Sequence, residues 1–118
     1  MDHETIIQGQ LDAYNAKDIE RFMSYWDADA EYYAHPNDLL AKGADAIRQR
    51  HIARFQEPDL FGQLERRDVL GGFVIDHELV TRNFPGGKAQ VKVVAIYELR
   101  HGKIARAWFI VGAPTPVE

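Results

Sequence analysis

The side chains of this chain best suited to moving a proton near neutral pH are its histidines, and five are present. His35 stands directly before Pro36 and is the candidate general base, because imidazole titrates close to pH 7 and can take up or release a proton there. Its plainer role is to tether a proline-containing turn through hydrogen bonds. His51 lies one helical turn before Phe55, where it either partners His35 in catalysis or sits in the core, satisfied by a backbone carbonyl. Asp76-His77-Glu78 looks like a ligand cluster, but successive side chains on a strand point to opposite faces. His77 is therefore separated from both acids, and the run is no facial metal triad. Either His77 or the two acids can enter a cavity, depending on register, and His77 is carried as a ligand-binding candidate.

The missing residue types narrow the chemistry further. The chain has no cysteine, which removes disulfides, thiolate nucleophiles and zinc–thiolate sites. Ser24 is the only serine and falls within a helical pattern, with no Gly-x-Ser-x-Gly elbow around it. Gly86-Gly87-Lys88 lacks the rest of a phosphate loop, and no dinucleotide fingerprint follows a strand. The histidines show no regular ligand spacing, so neither a metal nor a cofactor is expected. Noncovalent proton transfer and plain binding remain.

The elements that must position these residues are legible from periodicity. Thr5 to Ala16 carries Ile6, Ile7, Leu11 and Tyr14 at helical spacing. Asp18 can cap a second helix whose stripe is Ile19, Phe22, Met23 and Trp26. Ala30 to His35 reads as a short strand closed by the turn Pro36-Asn37-Asp38. A third helix spans Asp45 to Gln56, with Ile47, His51 and Phe55 inward and Ile52 beside them, and Pro58 prevents its continuation. Strands are expected over Leu64 to Leu70 and Phe73 to Arg82, with a loop from Asn83 to Lys88. The clearest signal is the closing hairpin, Val91 to Leu99 and Ile104 to Val111, joined by Arg100-His101-Gly102-Lys103. Both faces of this hairpin are apolar, with Val91, Val93, Ala95 and Tyr97 opposed by Val94 and Ile96. Both faces of the sheet should therefore be covered, one by helices and the other by a second subunit or a fold-back of the sheet. Pro114 and Pro116 mark a loose tail.

At 118 residues the chain is a single domain, 1–118, of α+β class, with helices segregated against an antiparallel sheet. A formal net charge of −4 without a basic stripe makes nucleic acid an unexpected partner. No signal peptide is read at the acidic N-terminus and no apolar run reaches membrane-span length, so a cytoplasmic protein without a membrane partner is expected.

The pattern resembles the nuclear transport factor 2-like superfamily, which includes ketosteroid isomerases, SnoaL-like polyketide cyclases and related small domains. The resemblance covers nearly the whole chain. It is carried by Leu11-Asp12-Ala13-Tyr14-Asn15-Ala16-Lys17-Asp18, by Asp29-Ala30-Glu31, by Gly43 with Ile47, and most strongly by the segment from Ile96 to Ile104. It implies a cone-shaped α+β barrel, a curved antiparallel sheet with about three N-terminal helices over its concave face, and an apolar ligand at the open end. It also implies a homodimer through the outer sheet face. By the same resemblance Tyr14, Trp26, His35, His51, Phe55 and Phe109 are directed to the cavity. Ketosteroid isomerases use an Asp base opposite a Tyr and a protonated Asp. Here the base position before the proline is His35, the Tyr position falls near Gln10, and the protonated Asp falls near Val94, so the isomerase set is not retained. The expectation is a cavity protein for a small hydrophobic molecule, an isomerase, cyclase or hydratase with His35 as base. The alternative is a noncatalytic ligand-binding or dimeric interaction module.

Overall fold

The computed structural model describes residues 2–117. Helix α1 (His3–Ala16) begins at Asp2, whose side chain accepts a hydrogen bond from the Thr5 amide at 2.7 Å, and it ends at Lys17 in the left-handed conformation. Asp18 then caps the short α2 (Ile19–Met23) by accepting from the Arg21 amide. Such caps satisfy amides that have no partner within a helix. Strand β1 (Trp26–Ala34) turns into β2 (Asp38–Lys42), and α3 (Ala44–Arg54) follows. The remaining strands are β3 (Phe61–Leu70), β4 (Phe73–Phe84), β5 (Gly87–Arg100), β6 (Lys103–Val111) and β7 (Thr115–Pro116).

The sheet runs in the order β2-β1-β6-β5-β4-β3, with β7 beside β5. Neighbours are antiparallel except β1 and β6, which pair in parallel, so the α+β sheet is mixed at one contact. The β5–β6 hairpin closes through His101 and Gly102, both at positive φ, as a two-residue turn between twisted strands requires. Helix α1 packs on β3 and β4, whereas α3 packs on β1 and β2. The helices thus sit over the flanks of the sheet, and the concave face of β5 and β6 is left as a floor between them. The core lies at the closed side, where Ile7, Phe22, Ile47, Val74 and Ile104 are fully buried.

Several boundaries differ from the sequence reading. Trp26 opens β1 rather than closing the second helix, because α2 ends at Met23. The turn after β1 is followed by an unanticipated strand, β2, whose one buried residue is Ala41. Strand β3 starts at Phe61, three residues early, and Pro85-Gly86 forms a tight link between β4 and β5 instead of a longer loop. The tail is not loose: Thr115 and Pro116 pair with Gln90 and Ala89, and the Val117 amide donates to the Lys88 carbonyl. Among the described residues no helix is long and apolar enough to cross a membrane.

Candidate functional site

A cavity of about 140 Å³ opens between the two groups of helices and the concave sheet face. Its deep end is formed by Phe22, Trp26, Tyr97, Gln10 and Glu78, and its mouth by Ala34, Leu40, Val111, Arg50, Arg54 and Arg82. Exposure sets this direction, since Trp26 and Tyr97 are each 4% exposed and Glu78 8%, against 40% for Leu40 and 63% for Val111. A cavity of this size, walled by apolar and aromatic groups, holds about one six-membered ring.

Strand register decides which acids enter it. Asp76 pairs with Ala95 and Glu78 with Val93, both on the concave face, while His77 pairs with Val94 on the convex face. His77 is accordingly turned away from the cavity, with Nε2 3.9 Å from the Asp68 carboxylate. The two inward acids have different surroundings. Asp76 accepts two hydrogen bonds from Arg67, at 2.7 and 2.9 Å, and the Arg67 guanidinium also donates to Gln8. Glu78 has no hydrogen-bond or ion-pair partner among the described residues, and burial, with the nearby Asp76 charge adding, pushes its carboxyl up to about 7. Gly62 leaves room for it: a Cβ there would meet Glu78 Oε1 at 3.1 Å and Leu11 Cδ1 at 3.2 Å.

The aromatic wall surrounds this carboxyl. His51 is buried, and its Nδ1 is 2.8 Å from the Ile47 carbonyl, which can only accept, so the ring proton sits on Nδ1 and Nε2 is left as an acceptor. Burial drops its pKa to about 4, which keeps the ring neutral at pH 7. Its ring lies 4.5 Å from Phe22 between centroids, and Tyr14 and Tyr32 meet it edge-on. Burial pushes the Tyr14 phenol up to about 12, with the Arg54 charge opposing in part. The Tyr97 phenol is lifted well above its ordinary range by burial, with Glu78 and Asp76 adding to the effect. Both phenols therefore remain donors at neutral pH. Two further donors, Trp26 Nε1 and Arg50 Nε, are buried without a partner among the described residues.

Of the residues singled out from sequence, Tyr14, Trp26, His51 and Phe109 line the cavity. Phe55 stands behind the wall, packed edge-on against Tyr14 at 5.5 Å and Phe22 at 5.5 Å. His35 does not join them. It is exposed in the turn after β1, where its backbone amide donates to the Phe109 carbonyl, and it is absent from the cavity wall. A general base must lie within hydrogen-bond reach of the proton it takes, and the structure does not bring His35 to the cavity wall. Sequence reasoning weighed Glu78 only as one of two registers and missed the three arginines at the mouth. The signal in β4 was misleading, since the outward set Phe73, Ile75 and Leu79 is more apolar than the inward set Val74, Asp76, Glu78 and Val80. Arg50 and Arg54, one turn apart and flanking inward His51, were readable as a pair beside the cavity. Among the described residues no group of three potential ligands could hold a metal ion.

Comparison with known proteins gives one consistent picture. The SnoaL-like domain family matches residues 7–107. A structure from Novosphingobium aromaticivorans, described as an uncharacterised cystatin-fold protein, is 26% identical, with 93% of this chain and 98% of that one covered at a TM-score of 0.85. A SnoaL-like polyketide cyclase, so described, from Shewanella denitrificans is 12% identical, covering 92% and 88% at 0.82. A protein of ketosteroid isomerase-like fold from Catenulispora acidiphila, solved with trimethylamine, is 13% identical, covering 89% and 83% at 0.77. A comparison with curated proteins finds no match.

Proposed function

Because the chain belongs to the SnoaL-like domain family, we propose that its cavity binds a small, ring-bearing, largely apolar molecule and that Glu78 moves a proton on it. One observation carries this reading: a buried carboxyl that faces a ring-sized cavity, has no protein partner and titrates near neutrality. A general base works best when its pKa lies near the working pH, and burial is one of the standard ways to place it there. The ligand would carry a carbonyl. The Glu78 carboxylate takes a proton from the adjacent carbon, the C–H electron pair moves toward the carbonyl oxygen, and the Tyr97 phenol or the Trp26 indole N–H donates to the developing charge. The protonated Glu78 carboxyl exchanges its proton with solvent through the open mouth while the enolate is held, and then delivers a proton to carbon, at the original or a neighbouring position. Proteins of the same fold that are described as polyketide cyclases lend this reading support, without naming a substrate for this chain.

The test uses cyclohexanone in deuterium oxide. The protein should speed exchange of the ring ketone's α-protons for deuterium, with activity rising through a pH near 7, and Glu78→Gln should lower that rate by a hundredfold or more, on the order of a typical general-base contribution. Exchange unaffected by Glu78→Gln would remove the assigned role. A second reading, ligand binding without turnover, is favoured by one observation: His51, Tyr14 and Tyr97 are all held in their neutral forms, which leaves Glu78, among the described residues, without a second cavity group moved toward neutrality to share the proton transfer. Saturable binding of the ketone without exchange would select it.

The convex face supports a second proposal, pairing of two copies. Ile75, Val94, Ile96 and Trp108 form a half-buried apolar band there, continued by exposed Ile110 and Phe73. Burying that band against a second copy removes it from water, and light scattering at micromolar concentration should give twice the chain mass. A monomer would reject it.

A further inference from the structure

The mouth of the cavity holds more positive charge than the protein neutralises. Arg54 and Arg82 share one carboxylate, Glu57, which lies 2.7 and 2.8 Å from Arg82 and 3.7 Å from Arg54 Nε. Burial works against the Glu57 charge, yet hydrogen bonds from Arg82 and the Asn83 amide hold its pKa below the ordinary range. Arg50 pairs with no carboxylate among the described residues. Its guanidinium is nonetheless placed: it lies over the Tyr32 ring at 5.2 Å, and that ring is packed on Phe109 at 4.5 Å. Its Nε is buried and has no partner among the described residues, a costly state for a charged donor when no acceptor is supplied.

We propose that the ligand is an organic acid, with an apolar ring in the cavity and a carboxylate held by Arg50 at the mouth. This rests on the reading of the cavity as a ligand site, but not on Glu78 as its base. The guanidinium fork matches a planar carboxylate through two parallel N–H donors, and the unsatisfied Nε is one of the five donors available to it. At the mouth three guanidiniums face one carboxylate, Glu57, while Glu78 lies at the deep end, and this local excess of positive charge favours an anion over a neutral acceptor such as an alcohol. The polarity of the site also fixes orientation. The ring points toward Trp26 and Glu78, and the charged end stays near solvent, where it loses least hydration.

The probes are cyclohexanecarboxylate and its neutral counterpart cyclohexanemethanol, titrated at low salt while the Trp26 indole N–H resonance is followed. The acid should bind at least tenfold tighter than the alcohol, and added salt should erode the difference. Arg50→Gln should abolish the preference, Arg50→Lys should keep part of it, and Glu78→Gln should keep or raise it even if proton exchange is lost, because that change removes a negative charge from the far end of the cavity. Equal affinity for the two probes, binding of neither, or a preference that survives Arg50→Gln would overturn the proposal. If Arg50→Gln loses both probes, Arg50→Lys decides: a retained preference supports carboxylate recognition and a lost one rejects it.

Discussion

The polar groups beneath α1 and those facing the cavity are buried to similar degrees and are treated in opposite ways. Under α1, Arg67, Asp76 and Gln8 form a closed set, with the Arg67 and Asp76 side chains 7% and 1% exposed and joined by two hydrogen bonds. One step along β4 from Asp76 on the same face, Glu78 has no partner among the described residues, and neither do Trp26 Nε1 and Arg50 Nε across the cavity. Folding normally pairs such groups, since an unpaired buried donor or charge is costly. The difference teaches where to look for a ligand: the paired set is explained by stability, and the unpaired set is what the proposed ligand would meet. Asp76 also serves both, because its charge helps hold Glu78 protonated at acid pH.

The sharpest way to break this contrast is to treat the two acids of β4 alike. Asp76→Ala leaves Arg67 buried without its carboxylate, and should cost about 3–5 kcal/mol of unfolding free energy by chemical denaturation. A loss below about 1 kcal/mol would show that the pair is no structural keystone. Glu78→Gln should act in the reverse direction. The Glu78 carboxyl titrates at about 4.5 unfolded and about 7 folded, so the folded state binds the extra proton. The stability this group contributes is therefore full below pH 4.5 and lost as pH rises through 7. Removing the charge should raise stability at pH 8 by up to about 3 kcal/mol and flatten that part of the pH profile. An unchanged profile would place Glu78 outside the cavity's electrostatics. The smallest effect belongs to His35→Gln, which should shift stability by less than about 0.5 kcal/mol, as exposed substitutions generally do. It should also leave cyclohexanone exchange within about twofold, and a large loss would return the base to the turn after β1.

The helical stripes of α1 and α3, the Asp18 cap and the final hairpin were all readable from residue order, because each depends on contacts within a few residues or across one short turn. The cavity aromatics were readable for the same reason, through the inward stripe that carries Tyr14 and His51 and the alternation that carries Phe109. His35 and His77 were not. The first is exposed by the local path of a turn, and the second is turned outward by a register that more apolar outward neighbours obscure.

The amino-acid sequence by itself determined the class of fold, the helices, the hairpin and the exclusion of thiol and serine-elbow chemistry, since these follow from periodicity, turn chemistry and residue type. Tertiary structure alone decided that Glu78 and His51, but neither His35 nor His77, face the cavity, that Asp76 is paired and Glu78 is not among the described residues, and that three arginines ring the mouth. Burial and pairing are properties of groups brought together from α1, α3, β3 and β4. The pKa of a carboxyl is set by those neighbours and by its distance from water, neither of which is written in the residues beside it in the chain.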